Sequence, residues 1–338
     1  MKSNRAIWIV CIVVTLVQVV SWMKMHLEVP KSHPMLRNNK HNQRYDSNAI
    51  HITQPDDVTV DASYALDFWG TVNFAPVPSF QIDTHDPISQ DIYISGSVHA
   101  AREPWDVFVW DKLTSILENT PAGTQPGRPP VVVDVGANIG YFSLAAAAMG
   151  ARVIAFEPMS RNARKLSKSI IRNRFQDRIT LYQNAAWDEG PSFPLHLEAT
   201  SSTNQGNGKV VSGEISGANT HGTYGVDYVT TVSLSDVVQE DVDVIKIDTE
   251  GTEGAVISGA RELICRFKVK YVIMEFTEIR TRRDKYSAEN MLSFMDAAGY
   301  IVSDVTQAAP PLSISDYMNF PPNILFSLKN ERAYCDSR

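Results

Sequence analysis

The most constraining feature of this chain is a short strand that runs into a glycine bend and then into an apolar helix. Val131-Val132-Val133 is a β-branched run of buried-strand character, Asp134-x-Gly136-x-x-x-Gly140 follows it, and Tyr141 to Met149 reads as an apolar helix. Where a backbone must pass close to a ligand, only glycine leaves room, so Gly136 and Gly140 mark a binding turn rather than a plain tight turn. Open α/β sheets bind ligands at the carboxyl ends of their strands, and this turn lies at one.

The charge at the turn narrows the ligand. A dinucleotide fingerprint reads Gly-x-Gly-x-x-Gly, and here Asp134 stands in place of its first glycine. A carboxylate there repels a pyrophosphate but attracts the cationic end of S-adenosylmethionine, directly or through water. The second strand ends in Phe156-Glu157-Pro158, about twenty residues past the turn, where an acidic residue accepts hydrogen bonds from the ribose hydroxyls of an adenosine cofactor. A lone strand-end glutamate is usually just solvated; its spacing from the turn makes Glu157 a candidate ligand.

The fourth strand ends Ile245-Lys246-Ile247-Asp248-Thr249-Glu250-Gly251-Thr252-Glu253. Clustered like charges cost energy unless cations, donors or substrate compensate. Asp248 is the leading candidate for catalytic base or orienter and Glu250 the next, while Glu253 reads as a helix-start residue favoured by the helix dipole. Lys246 falls among buried positions, with a stem that can snorkel past apolar neighbours.

Strands and helices alternate from Val131 onward: strands at 152–156, 178–182, 242–247 and 270–276, helices at 161–174, 253–267 and 289–298, the last stopped by Gly299. This predicts a mostly parallel sheet covered by helices on both faces, with 301–305 and 323–328 as an antiparallel edge. Ahead of it, Ile92 to Ile94 reads as a strand, and Pro104 opens a helix running to about Leu117. Segments 193–197 and 229–234 read as strands flanking a polar insertion, 198–228, which is either a lid or an ordinary surface loop.

The apolar run from Ala6 to Met23 is long enough to span a bilayer as one helix. Bulky residues at its exit favour a retained signal anchor over a cleaved signal peptide. Residues 24–61 read as a flexible stem, 62–130 as a lead-in carrying a helix, and 131–330 as the catalytic domain. Basic residues on both sides of the run leave orientation open by charge; by analogy with anchored secretory enzymes, the expectation is a single-pass type II protein of the Golgi or endoplasmic reticulum with a lumenal domain. No Asn-x-Ser/Thr sequon supports that placement, and Cys265 and Cys335 read either as one pair or as two free thiols. A net charge of −7 and the lack of a long basic block argue against nucleic acid as a partner.

Four segments together, VVVDVGANIGY at 131–141, AFEP at 155–158, KIDTEGTEGAVISGA at 246–260 and YVIMEFT at 271–277, resemble the FkbM family of class I methyltransferases, over about Ile92 to Leu328. The resemblance implies a Rossmann-like fold, S-adenosylmethionine as donor and transfer to a hydroxyl of a sugar or polyketide-like acceptor. It assigns Asp134, Gly136, Asn138 and Gly140 to the methionine end of the donor, Glu157 to the ribose, and Glu103 to an acidic position that helps hold the cofactor. The adenine is expected near Asn184, Ala185 and Ala186, with Trp187 a departure in bulk. His196 and His221 border the insertion and read as surface residues. Some related O-methyltransferases bind a divalent ion at the place of Asp248, but companion ligands are not evident in the sequence, so a divalent metal stays open and is not counted among the expected cofactors. A glycan is the favoured acceptor because of the expected compartment. The alternatives are a domain that holds the donor without turnover and a nicotinamide oxidoreductase.

Overall fold

The fold places a crevice where the chain reverses its direction of travel across one sheet. The computed structural model describes residues 51–54, 67–88, 91, 93–120, 127–188, 195–201, 204–211, 226–306, 310–330, 333 and 335. In chain order these form β1 (His51–Ile52), β2 (Phe68–Val72), β3 (Phe80–Thr84), α1 (Ile94–Ala100), α2 (Val107–Glu118), β4 (Val131–Val135), α3 (Tyr141–Ala148), β5 (Arg152–Phe156), α4 (Ser160–Asn173), β6 (Ile179–Tyr182) and β7 (Ala185–Trp187). There follow β8 (Leu195–Ser201), β9 (Asn204–Val211), β10 (Val226–Val229), β11 (Thr231–Ser233), α5 (Leu234–Val237), β12 (Val242–Ile247), α6 (Glu253–Gly259), α7 (Arg261–Arg266), β13 (Val269–Glu275), α8 (Ala288–Ala297), β14 (Tyr300–Asp304) and β15 (Asn323–Leu328).

Among the described residues the main sheet has eight strands in the order β1-β6-β5-β4-β12-β13-β15-β14. The five from β6 to β13 are parallel, and β15 and β14 close one edge antiparallel, as the sequence predicts. The chain travels outward from β4 through β5 to β6 and then returns to lay β12 against the other side of β4. Ligands bind at such a switch point, beyond the carboxyl ends of the two central strands.

Every residue of β4 and of β12 is buried, which is why both read as continuous apolar runs broken by single charges. One face of the sheet carries α2, α3 and the β2–β3 hairpin around Trp110, Tyr141, Phe80 and Ile82; the other carries α6, α7 and α8 around Ile257, Leu263 and Met295. The lead-in is therefore part of the same core as the domain that follows it.

Several elements differ from the sequence expectation. Ile94 starts a helix instead of ending a strand, because Asp91 accepts hydrogen bonds from the Tyr93 and Ser95 amides (3.0 and 2.9 Å) and the Ser95 hydroxyl (2.7 Å), fixing a helical turn. The next helix starts at Val107, not at Pro104, since Asp106 caps it by accepting from the Val109 amide at 3.3 Å. β1 lies inside the span read as stem and pairs antiparallel with β6. The helix expected over 253–267 is two, with Ala260 between them. The polar insertion contains β9 and parts of β8 and β10, which form a three-stranded antiparallel sheet. Residues 212–225 lie outside the described residues. Among the described residues no helix is long and apolar enough to cross a membrane, and the anchor expected at 6–23 lies outside them.

Cys265 on α7 and Cys335 form a disulfide with a Cα–Cα distance of 5.6 Å across 70 residues of sequence. A crosslink over so long a loop removes denatured-state entropy, so Cys335→Ser is expected to lower unfolding free energy by about 2–4 kcal/mol. Urea unfolding of the oxidised protein, the reduced protein and the variant checks this; equal midpoints for all three would refute it.

Candidate active site

The glycine bend is wedged between the tips of β5 and β12. Gly136 (φ 75°), Asn138 (φ 54°) and Gly140 (φ 91°) all have left-handed backbone. A Cβ at Gly136 would overlap the carbonyl oxygen of Asp248, and one at Gly140 would overlap the Leu166 side chain, so neither position tolerates another residue without movement. The Gly136 and Ala137 amides both donate to the Phe156 carbonyl at 3.0 Å, and the Asp248 amide donates to the Val135 carbonyl at 3.0 Å. These bonds hold three strand tips in register around one cavity.

Glu157 sits just beyond β5 and is buried. Its Oε2 accepts from the Asn138 amide at 2.7 Å, and its Oε1 from the Met159 amide at 2.9 Å and the Asn162 side-chain amide at 3.4 Å. Burial pushes its pKa up to about 7 despite these donors. Asn162 in turn pairs with His85 Nε2 through Oδ1 at 2.8 Å. An acceptor oxygen there requires Nε2 to carry the proton, and burial holds His85 neutral by lowering its pKa to about 3. A neutral histidine just past β3 thereby fixes the Asn162 amide with its NH2 toward Glu157.

Lys246 is buried at the centre of the sheet. Its Nζ lies 3.3 Å from Asp248 Oδ2, 3.6 Å from Asp134 Oδ1 and 3.3 Å from the Gly136 carbonyl, and 5.3 Å above the Phe142 ring. Burial works against its charge, but Asp248 and Asp134 outweigh that and hold its pKa above the ordinary lysine value. Asp134 also accepts from the Ser143 hydroxyl at 2.6 Å. Its charge is thus directed at Lys246 and Ser143, beneath the bend.

The cavity above the bend has a volume of about 400 Å³, within the range of small-molecule sites. Gly136, Asn138, Glu157, Asn184, Ala186, Asp248 and Glu250, all singled out from the sequence, line it. Asp134, Gly140 and Glu103 do not: the first lies beneath the bend, the second packs on α4, and the third is exposed, with its carbonyl accepting from Ser97 at 3.2 Å. The acid that the lead-in delivers to the cavity is Asp106, three residues after Glu103. The Asn184 side chain donates to Thr230 Oγ1 at 2.9 Å, and Trp187 packs edge-on against Tyr286 with centroids 5.6 Å apart. β9 closes the cavity with Asn204 and Gly208, where a Cβ on Gly208 would overlap Met159. His221 and the side chain of His196 lie outside the described residues.

Companion carboxylates for Asp248 exist after all. Carboxylate oxygens of Asp248, Glu250 and Glu275 all lie within 4.8 Å of one another, a hard oxygen set of the kind that can hold a divalent cation or share a proton. Burial, then the charges of Asp248, Glu250 and Glu253, raise the pKa of Glu275 to about 8. Glu253 instead folds back: its Oε1 accepts from the Thr249 and Gly251 amides at 3.1 and 3.0 Å, which bends the 248–253 loop toward the cavity. Glu275 carries the same signal in the sequence as Asp248, an acid ending a buried strand, one strand over. No sequence signal marks Ser143, Asn162 or His85, whose partners are remote along the chain.

Residues 134–302, half of the 338-residue chain, match a family described as the Methyltransferase FkbM domain. That match is shorter at both ends than the span of the sequence resemblance. A search of curated proteins finds no match. Among solved structures, methyltransferase FkbM from Methylobacillus flagellatus KT is 20% identical, with 58% of this chain and 43% of that one covered at a TM-score of 0.37. The present chain thus spans less than half of that relative's length. An O-methyltransferase from Bacillus cereus in complex with SAH is 14% identical, with coverages of 69% and 96% and a TM-score of 0.32. Magnesium protoporphyrin IX methyltransferase from Synechocystis PCC 6803 with bound SAM is 12% identical, with coverages of 71% and 86% and a TM-score of 0.38.

Because Glu157 keeps its proton up to about pH 7 and accepts hydroxyl hydrogen bonds best as a carboxylate, affinity for an adenosine group should fall as pH drops through about 7. Methylthioadenosine, which has no amine titrating there, is the probe. Calorimetry from pH 8 to pH 6 should show several-fold weakening that is absent in Glu157→Gln; a flat wild-type profile would contradict the assignment.

Proposed function

The chain belongs to the FkbM methyltransferase family, and from that premise we propose that it transfers a methyl group from S-adenosylmethionine to a hydroxyl of a glycan or related small acceptor. S-adenosylmethionine is the methyl donor. The observation that carries the acceptor half of the reading is the carboxylate set Asp248, Glu250 and Glu275 lining the same cavity as Glu157. Proton-accepting groups at that place suit a hydroxyl nucleophile, which must lose its proton on attack.

The residues fit the donor. Glu157 and the Asn138 turn bind ribose, the Asn184 to Ala186 segment borders the adenine, and Gly136 and Asn138 border the methionine end. The donor supplies an electrophilic methyl on a sulfonium. As the acceptor oxygen takes up that methyl, its hydroxyl proton would pass to a carboxylate, with Asp248 the first candidate and Glu250 and Glu275 beside it. Much of the acceleration comes from holding nucleophile and methyl at near-attack distance. Asp134 serves at one remove, by fixing Lys246 and through it the tip of β12. The same three carboxylates also fit a divalent cation, which would orient the acceptor oxygen.

We place the protein in an oxidising secretory compartment, held by the apolar segment 6–23 with a lumenal domain; the Cys265–Cys335 disulfide supports that reading. Incubation with labelled donor and a glycan extract tests the activity. Transfer should be lost in Glu157→Ala, while Asp248→Asn should lower kcat by about 10²-fold or more with donor affinity retained. Tight donor binding without transfer to any acceptor would indicate a scaffold instead.

A further inference from the structure

The two halves of the cavity are built by different parts of the chain. The donor half comes from within the matched span, 134–302, whereas Tyr93, Trp105, Asp106, Pro322 and Asn323, which also line the cavity, come from outside it. These outer residues are held in place from both ends of the chain. The Tyr93 amide donates to Asp91 at 3.0 Å, and its ring meets Trp105 edge-on, with centroids 5.9 Å apart and an interplanar angle of 80°. The Trp105 amide donates to the Tyr141 hydroxyl at 3.2 Å, which ties this wall to the start of α3. Asn323 donates through Nδ2 to Asp106 Oδ2 at 3.0 Å, joining the start of α2 to the start of β15.

An aromatic pair that is anchored by its backbone yet left open, Tyr93 being 43% exposed, is an apolar face waiting for a ligand. The same cavity is lined by Asp106, Asp248, Glu250 and Glu275, and by no lysine or arginine among the described residues. Lys246, the buried cation beneath, is held by Asp134, Asp248 and the Gly136 carbonyl.

We propose that Tyr93 and Trp105 with the Asp106–Asn323 pair form the acceptor subsite, and that it takes an uncharged sugar ring and rejects sugars bearing carboxylate or phosphate. The face of a pyranose presents polarised C–H groups that fit the electron-rich face of an aromatic ring. Its hydroxyls donate to the carboxylates and accept from the Asn323 amide. An anionic substituent would instead meet like charges in a partly desolvated cleft, where repulsion is stronger than in water. This proposal rests on the methyl-transfer reading above and narrows its acceptor.

The test uses the full-length protein saturated with S-adenosylhomocysteine and saturation-transfer NMR with three probes: methyl glycosides of neutral hexoses, methyl glucuronoside and hexose 6-phosphate. The neutral glycosides should bind and the two anions should not. Trp105→Ala and Tyr93→Ala should weaken the glycosides at least tenfold with S-adenosylhomocysteine affinity within twofold of wild type, and Trp105→Phe should restore binding. Anions that bind as well as neutral glycosides, no glycoside binding by the S-adenosylhomocysteine-loaded protein, or alanine variants that keep both affinities would overturn the subsite. Failure to bind S-adenosylhomocysteine at all would instead strike the methyltransferase reading.

Discussion

The buried ammonium of Lys246 is the interaction on which the site depends. A lysine near the carboxyl end of a fully buried strand is costly unless paired, and it finds carboxylates on both sides, Asp134 on β4 and Asp248 just past β12, with the Gly136 carbonyl as a third partner. Those contacts join the strands on either side of the switch point at the place where the cavity opens. Asp134 therefore acts as an anchor of the bend, and the negative charge that faces the cavity comes from Asp106, Glu250 and the exposed side of Asp248, while Glu275, its pKa raised to about 8, keeps its proton at neutral pH.

A second layer of polar groups orients the wall of the cavity around Glu157. Glu157 is oriented by two backbone amides and by Asn162, and Asn162 by a histidine that burial keeps neutral. His85 directly follows β3, ahead of the family span, so this segment both fills the core and braces the Glu157 carboxylate through Asn162. The outer wall follows the same logic at larger scale, since Asp106 and Asn323 lie 217 residues apart yet share a hydrogen bond.

The sequence revealed what is local and periodic. β4, β5 and β12 were legible because buried parallel strands are mostly apolar runs broken by single charges, and the bend was legible because Gly136 and Gly140 have no substitute where Asp248 and Leu166 press on them. The antiparallel edge was legible from the order of its strands. Pairings at long range were not. Nothing near Asp134 says that its charge is met by Lys246, 112 residues on, and the attribution of that charge to the donor followed from seeing only the turn. Ile94 was misread because β-branched propensity is a weak prior, and the capping bonds of Asp91 overrule it. Glu103 was assigned through the family resemblance, while Asp106, the acid that reaches the cavity, was hidden by its left-handed backbone and its role as a cap.

A crystal structure of the full-length protein with S-adenosylhomocysteine tests the central claim most directly. The account requires the nucleoside to lie over the glycine bend with its ribose hydroxyls on Glu157, and Lys246 still bound between Asp134 and Asp248. A nucleoside found elsewhere, or a cleft blocked at the ends of β4 and β5 when the ligand is present at saturating concentration, would contradict it.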